Sequence, residues 1–148
     1  LASEPLKKIL CPVDFNSASA AVLKIANAMA KEHGAAVCVL HVIVPFLVPP
    51  IGLQRSTPLA ISERESRSRL EELAARLLEP GVPYTIQIHM GEPAARIVAV
   101  AKECGANLII MATHQRADLG HFVIGGITKR VLRQAPCPVL TIRPTAAA

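Results

Sequence analysis

Apolar positions along the chain fall into short continuous runs and into longer helical stripes, and the two alternate. Residues 8–15, "KILCPVDF", form a short apolar run ending in Pro and Asp, which predicts a buried strand. Val22, Ile25, Ala26 and Met29 then recur at helical spacing, with Asn16 or Ser17 as the cap and Gly34 as the stop. Residues 35–44, "AAVCVLHVIV", are apolar throughout, as in a strand covered on both faces. Prolines interrupt residues 45–58 too often for regular structure, so a long loop is expected there.

Leu70, Leu73, Ala74 and Leu77 mark a second helix that starts from the charged "ERESRSR". Residues 83–91, "PYTIQIHMG", alternate like a strand with one wetter face. Pro93 suits the first turn of a third helix, whose stripe is Ile97, Val100, Ala101 and Cys104 and whose end is Gly105. Residues 107–113 predict a fourth strand. Ile124, Ile127, Val131 and Leu132 predict the buried side of a final helix, and residues 138–143 a last strand before an alanine-rich tail. Strands alternating with helices over the whole of residues 1–148 predict one α/β domain. Its sheet is parallel and open, with right-handed crossovers and helices on both faces.

Composition narrows the function. Hydrophobic residues make up 51% of the 148 and charged residues 18%, which suits a packed domain. Aromatics are 3% and Trp is absent, which argues against the stacking platforms of single-stranded nucleic-acid binding. The formal charge of +5 comes without a dense Lys/Arg cluster, so a solvated basic surface is expected and no nucleic-acid partner. Cys11, Cys38, Cys104 and Cys137 are widely spaced among apolar neighbours with no CxxC pair, as buried reduced thiols would be. A cytoplasmic location is the expectation, with no signal peptide and no membrane partner. The five histidines have no metal-ligand spacing, so no metal is expected. Neither a nucleophile elbow nor a Walker A motif occurs, and no catalytic residue is assigned.

In an open parallel sheet, ligands bind beyond the carboxyl ends of the strands. Pro12, Val13 and Asp14 end the first strand, His41 and Val42 the second, and Met111 to Gln115 the fourth. Asp14 can accept from a ribose hydroxyl or an adenine amine, or it can cap the following helix. Gly125 and Gly126 at a helix start can cradle a phosphate, or can make a turn. Thr128 would add a hydroxyl there, and Lys129 or Arg130 positive potential.

In order and spacing, "KILCPVDFNSASAAVLKIANAMA", "VLHVIVP", "GEPAARIVAVAKECGANLIIMATH" and "IGGITKRVLRQAPCPVLTIRP" resemble the universal stress protein family. The resemblance implies a Rossmann-like sheet of order 3-2-1-4-5, of the adenine nucleotide α-hydrolase-like kind. It also implies a homodimer paired through the last strand, here from Val139 to Arg143, which would cover an exposed edge. Members that bind ATP carry glycine, two residues, glycine, nine residues, then glycine followed by serine or threonine.

On this sequence those positions fall on Ala112, Gln115, Gly125 and Gly126, so one of the four signature residues is retained. The resemblance turns Val13, Asp14 and Val42 toward adenine and ribose. Met111, Ala112, His114 and Gln115 would line the ribose and phosphate path, and Gly125, Gly126, Ile127 and Thr128 would hold the phosphates. Gln115 crowds a position that glycine leaves open, although its amide can donate to an anion. Gly126 forfeits one hydroxyl hydrogen bond, about 0.5–1.5 kcal/mol. The reading is a stress-response binding or regulatory module with a degenerate site for ATP (with Mg²⁺) or for AMP or another adenine nucleotide. Its alternatives are an interaction protein acting through dimerisation, and a slow ATP hydrolase using Asp14 and His114.

Overall fold

Side chains of the central strands divide by alternation into two buried sets. Ile9 and Cys11, Val37 and Val39, and Ile110 face one way, where Val22, Leu23, Ala26, Leu70 and Ala74 pack on them. Leu10, Cys38, Leu40, Ile109 and Met111 face the other way, against Ala94, Ile97, Val100, Ala101 and Val131. Both faces are therefore dry, which is why these strands read as unbroken apolar runs.

The computed structural model describes residues 5–45, 58–113 and 125–143. Its elements are β1 (Lys8–Pro12), α1 (Ser17–His33), β2 (Ala36–Ile43), α2 (Pro58–Leu77), β3 (Tyr84–Met90), α3 (Pro93–Cys104), β4 (Leu108–Ala112), α4 (Gly126–Gln134) and β5 (Val139–Ile142). The strands form one sheet of order β3-β2-β1-β4-β5, with every neighbouring pair parallel. Helices α1 and α2 cover one face and α3 and α4 the other. This is the Rossmann-like α/β architecture expected from the sequence. Most of residues 45–58, Ile124 and the alanine-rich tail lie outside the described residues.

Local chemistry sets the element ends. Asn16 caps α1, its side chain accepting from the Ala18 N–H at 2.9 Å. Gly34 and Gly105 close α1 and α3 in left-handed geometry. Asn107 ties the start of β4 to that of β1: its Oδ1 accepts from the N–H groups of Lys7 and Lys8, each at 2.8 Å.

The wetter face of β3 is explained by a directed chain of side chains. Arg96 is a donor only, so its Nη2 gives a hydrogen bond to His89 Nδ1 at 2.9 Å. The His89 proton then sits on Nε2 and is donated to Gln87 Oε1 at 2.8 Å, which turns the Gln87 amide toward Cys38 Sγ at 3.5 Å.

Two sequence expectations need correction. Leu132 does not join the buried side of α4; it is 45% exposed, and Thr128 is buried in the stripe with Val131. On the helix Val131 lies about 60° to one side of Thr128 and Leu132 about 40° to the other, and it is the Val131 side, shared with Ile127, that packs on the sheet. Of the four thiols, all free, Cys11 and Cys38 are buried, but Cys104 and Cys137 are only partly so.

Candidate functional site

Sheet order reverses between β1 and β4: the chain leaves β1 toward β2 on one side and reaches β4 on the other. The carboxyl ends of these strands open a cleft of about 230 Å³. Pro12, Val13 and Asp14 enter it from β1 and the turn after it, His41 and Val42 from β2, Met111 and Ala112 from β4, and Ile127 and Thr128 from α4. Nine of the residues singled out in the sequence thus line one cavity. Gly125 and Gly126 stand at the start of α4 but are not among its walls. His114 and Gln115 lie outside the described residues.

The sequence left Asp14 open between helix cap and ligand group. Asn16 takes the cap, so Asp14 does not serve as one. Asp14 is exposed at the cleft, with Oδ1 3.5 Å from the Asn16 N–H and its own N–H donating to Ser19 Oγ at 3.3 Å. His41 Nδ1 lies 2.8 Å from the Val13 carbonyl oxygen. A carbonyl only accepts, so Nδ1 carries the proton and, in the neutral ring, Nε2 is the acceptor. The His41 ring packs on Phe15 with centroids 4.5 Å apart.

Several wall residues were not singled out. Asn16, Ser19 and Val22 come from the first turns of α1, and Pro93 and Ile97 from α3. Helical spacing marks the inward faces of these helices, but not which turn reaches the strand ends.

Electrostatically the described wall holds one carboxylate, Asp14, and no lysine or arginine. The positive potential expected of Arg130 is committed elsewhere: its Nη1 lies 2.7 Å from Glu92 Oε1. Desolvation pushes the Glu92 carboxyl up, but the Ala95 and Ala94 N–H groups and the Arg130 charge outweigh it and hold the group below the ordinary range. Gly125 has φ −72° and ψ 168°, ordinary extended geometry, and a Cβ built at Gly125 or Gly126 meets no atom of the described residues within 4 Å. No group of three or more His, Cys, Asp or Glu among the described residues could hold a metal ion.

A cleft at the reversal point of a parallel sheet is shared by many nucleotide-binding folds. The family is decided by the match of residues 5–143 to the model of the universal stress protein family. The chain belongs to this family. Universal stress protein MJ0531 of Methanocaldococcus jannaschii is 30% identical over 139 residues, which cover 93% of this chain and 82% of that one. Among solved universal stress proteins and their structural relatives, MJ0577, from the same organism, superposes with a TM-score of 0.77 at 25% identity, covering 97% and 100% of the two chains. A universal stress protein from Archaeoglobus fulgidus, solved in complex with dAMP, shares the fold at TM-score 0.65 and 21% identity, covering 93% and 98%.

Proposed function

We propose that this universal stress protein is a binding and regulatory module that takes an adenine nucleotide in the cleft at the ends of β1, β2 and β4. The observation that carries the reading is the convergence there of Val13, Asp14 and Val42, which the family resemblance assigns to adenine and ribose, with Met111 and Ala112, which it assigns to the ribose and phosphate path. Apolar walls from Val13, Val42, Met111 and Ile127 suit a planar base, while Asp14 and His41 Nε2 offer acceptors to an amine or ribose hydroxyl. The dAMP complex of the Archaeoglobus fulgidus relative supports the same ligand class.

Phosphate would meet the backbone N–H groups at the start of α4, beside Gly125 and Gly126. ATP with Mg²⁺ and AMP are both candidate ligands. The module is read as a cytoplasmic homodimer joined along β5. Leu132 and Leu140, exposed on the last two elements, support an apolar interface at that edge.

Calorimetric titration with AMP and with ATP, with and without Mg²⁺, tests the reading. Binding without phosphate release is expected. No heat and no thermal shift at millimolar nucleotide would sink nucleotide binding, and steady phosphate release would move the protein to the hydrolase reading. Gly126→Ser, whose Cβ would meet no described residue within 4 Å, is expected to tighten phosphate-bearing ligands by roughly three- to ten-fold through the added hydroxyl.

A further inference from the structure

The described wall of the proposed nucleotide cleft holds no lysine or arginine, and an ion pair at its side occupies Arg130 of α4. Arg130 projects from α4 to Glu92, which precedes Pro93 of the cleft wall. The Glu92 carboxylate also accepts from the Ala95 N–H at 3.0 Å and the Ala94 N–H at 3.2 Å. One carboxylate therefore occupies the N-terminus of α3 and holds the Arg130 guanidinium. Of the three helix starts beside the cleft, α1 and α3 have leading N–H groups answered from within the chain, by Asn16 and by Glu92.

We infer that Glu92, by holding Arg130, is a specificity-determining residue that limits the cleft to nucleosides and nucleoside monophosphates and disfavours polyphosphates. The inference rests on the adenine-nucleotide reading. Each further phosphate adds negative charge near Asp14 and Glu92, and the N–H groups of α4 can answer only part of it. Glu92→Gln keeps an acceptor for the α3 cap while removing the charge that holds Arg130, so the guanidinium becomes available to a β- or γ-phosphate.

Titration calorimetry of the full chain with adenosine, AMP, ADP and ATP, with Mg²⁺ throughout, tests this in four proteins: wild type, Glu92→Gln, Arg130→Ala and the double variant. In the wild type, ATP is expected to bind at least several-fold more weakly than AMP. Glu92→Gln should tighten ATP by roughly two- to five-fold, the upper part of what one exposed ion pair contributes, and leave adenosine unchanged. Arg130→Ala alone should not weaken AMP, and in the Glu92→Gln background it should cancel the gain for ATP.

Wild-type ATP affinity equal to or above that for AMP overturns the inference, as does an unchanged ATP-to-AMP ratio in Glu92→Gln. A large loss of AMP affinity in Arg130→Ala also overturns it, because Arg130 would then already serve the ligand. Melting curves identify any variant that misfolds, and Arg130→Ala reports on the same pair without touching the α3 cap. Silence with all four ligands in every protein removes the nucleotide reading itself, whereas binding without phosphate-number selectivity removes only this inference.

Discussion

Phe15 follows Asp14 with a backbone φ of 67°, left-handed geometry that a bulky residue adopts only under constraint. The conformation costs about 1–2 kcal/mol. It turns the chain out of β1 toward the Asn16 cap. The Phe15 ring contacts the His41 ring and lies under the guanidinium of Arg69, 5.6 Å from the ring centre. Truncation and backbone relief can therefore be separated. Phe15→Ala is expected to destabilise by about 2 kcal/mol through lost packing. Phe15→Gly should be less harmful than Phe15→Ala by about 1 kcal/mol, because glycine accepts the positive φ. Urea unfolding of the pair checks it, and the ordinary order, with glycine worse than alanine, would refute the strain.

The thiols offer a second check at this scale. Burial pushes the Cys11 thiol far up, and burial also raises Cys38 although Thr85 and Gln87 oppose it. An aromatic disulfide reagent should label at most Cys104 and Cys137 in the native protein. Rapid native labelling of Cys11 or Cys38 would contradict the packing of β1 and β2.

At the scale of elements, turns and caps decide how each strand hands over to its helix. Gly91, between β3 and α3, has φ 141°, and a Cβ there would lie 3.3 Å from the Arg96 Cδ. Gly105, at the end of α3, has φ 67° but nothing within 4 Å of such a Cβ. Gly105→Ala should cost about 1 kcal/mol from backbone conformation alone, and Gly91→Ala more, because Arg96 must also move. Thermal unfolding ranks the two, and equal losses would show that the Arg96 contact gives way freely.

Glu79 links α1 to the segment after α2. Its carboxylate meets Lys31 Nζ at 2.9 Å and Asn27 Nδ2 at 2.9 Å, and the Lys31 hydrogen bond is the main cause that holds it below the ordinary range. Glu92 is also depressed. A carboxyl depressed in the folded state stabilises above its unfolded pKa, and that stabilisation is lost as pH falls through the folded value. Melting temperature should therefore drop on acidification from roughly pH 5 downward, and less steeply in Glu79→Gln or Glu92→Gln than in the wild type. Parallel slopes in all three proteins would remove these two groups as the cause.

For the whole molecule, the sheet has two edges, β3 and β5, and the apolar residues exposed toward the second are the ones proposed for self-association. Leu140→Glu places a charge on β5, where Leu140 is 39% exposed, so the fold should survive while the proposed dimer is lost. Light scattering reads the result directly. A folded dimer of Leu140→Glu would move the interface away from β5. No helix among the described residues is long and apolar enough to cross a membrane.

The sequence by itself determined the order of elements, the two-faced burial of the strands, and the strand-end residues that meet in the cleft. Alternation, helical spacing and capping are local, so each is written within a few neighbouring residues, and a parallel sheet sends its ligand crevice to its carboxyl ends. The tertiary structure decided what depends on partners distant along the chain. Asn16 rather than Asp14 caps α1, His41 is oriented by the Val13 carbonyl, Leu132 turns outward, and Arg130 is held by Glu92. No local pattern encodes which carboxylate an arginine meets, because that depends on how α3 and α4 pack against the same face of the sheet.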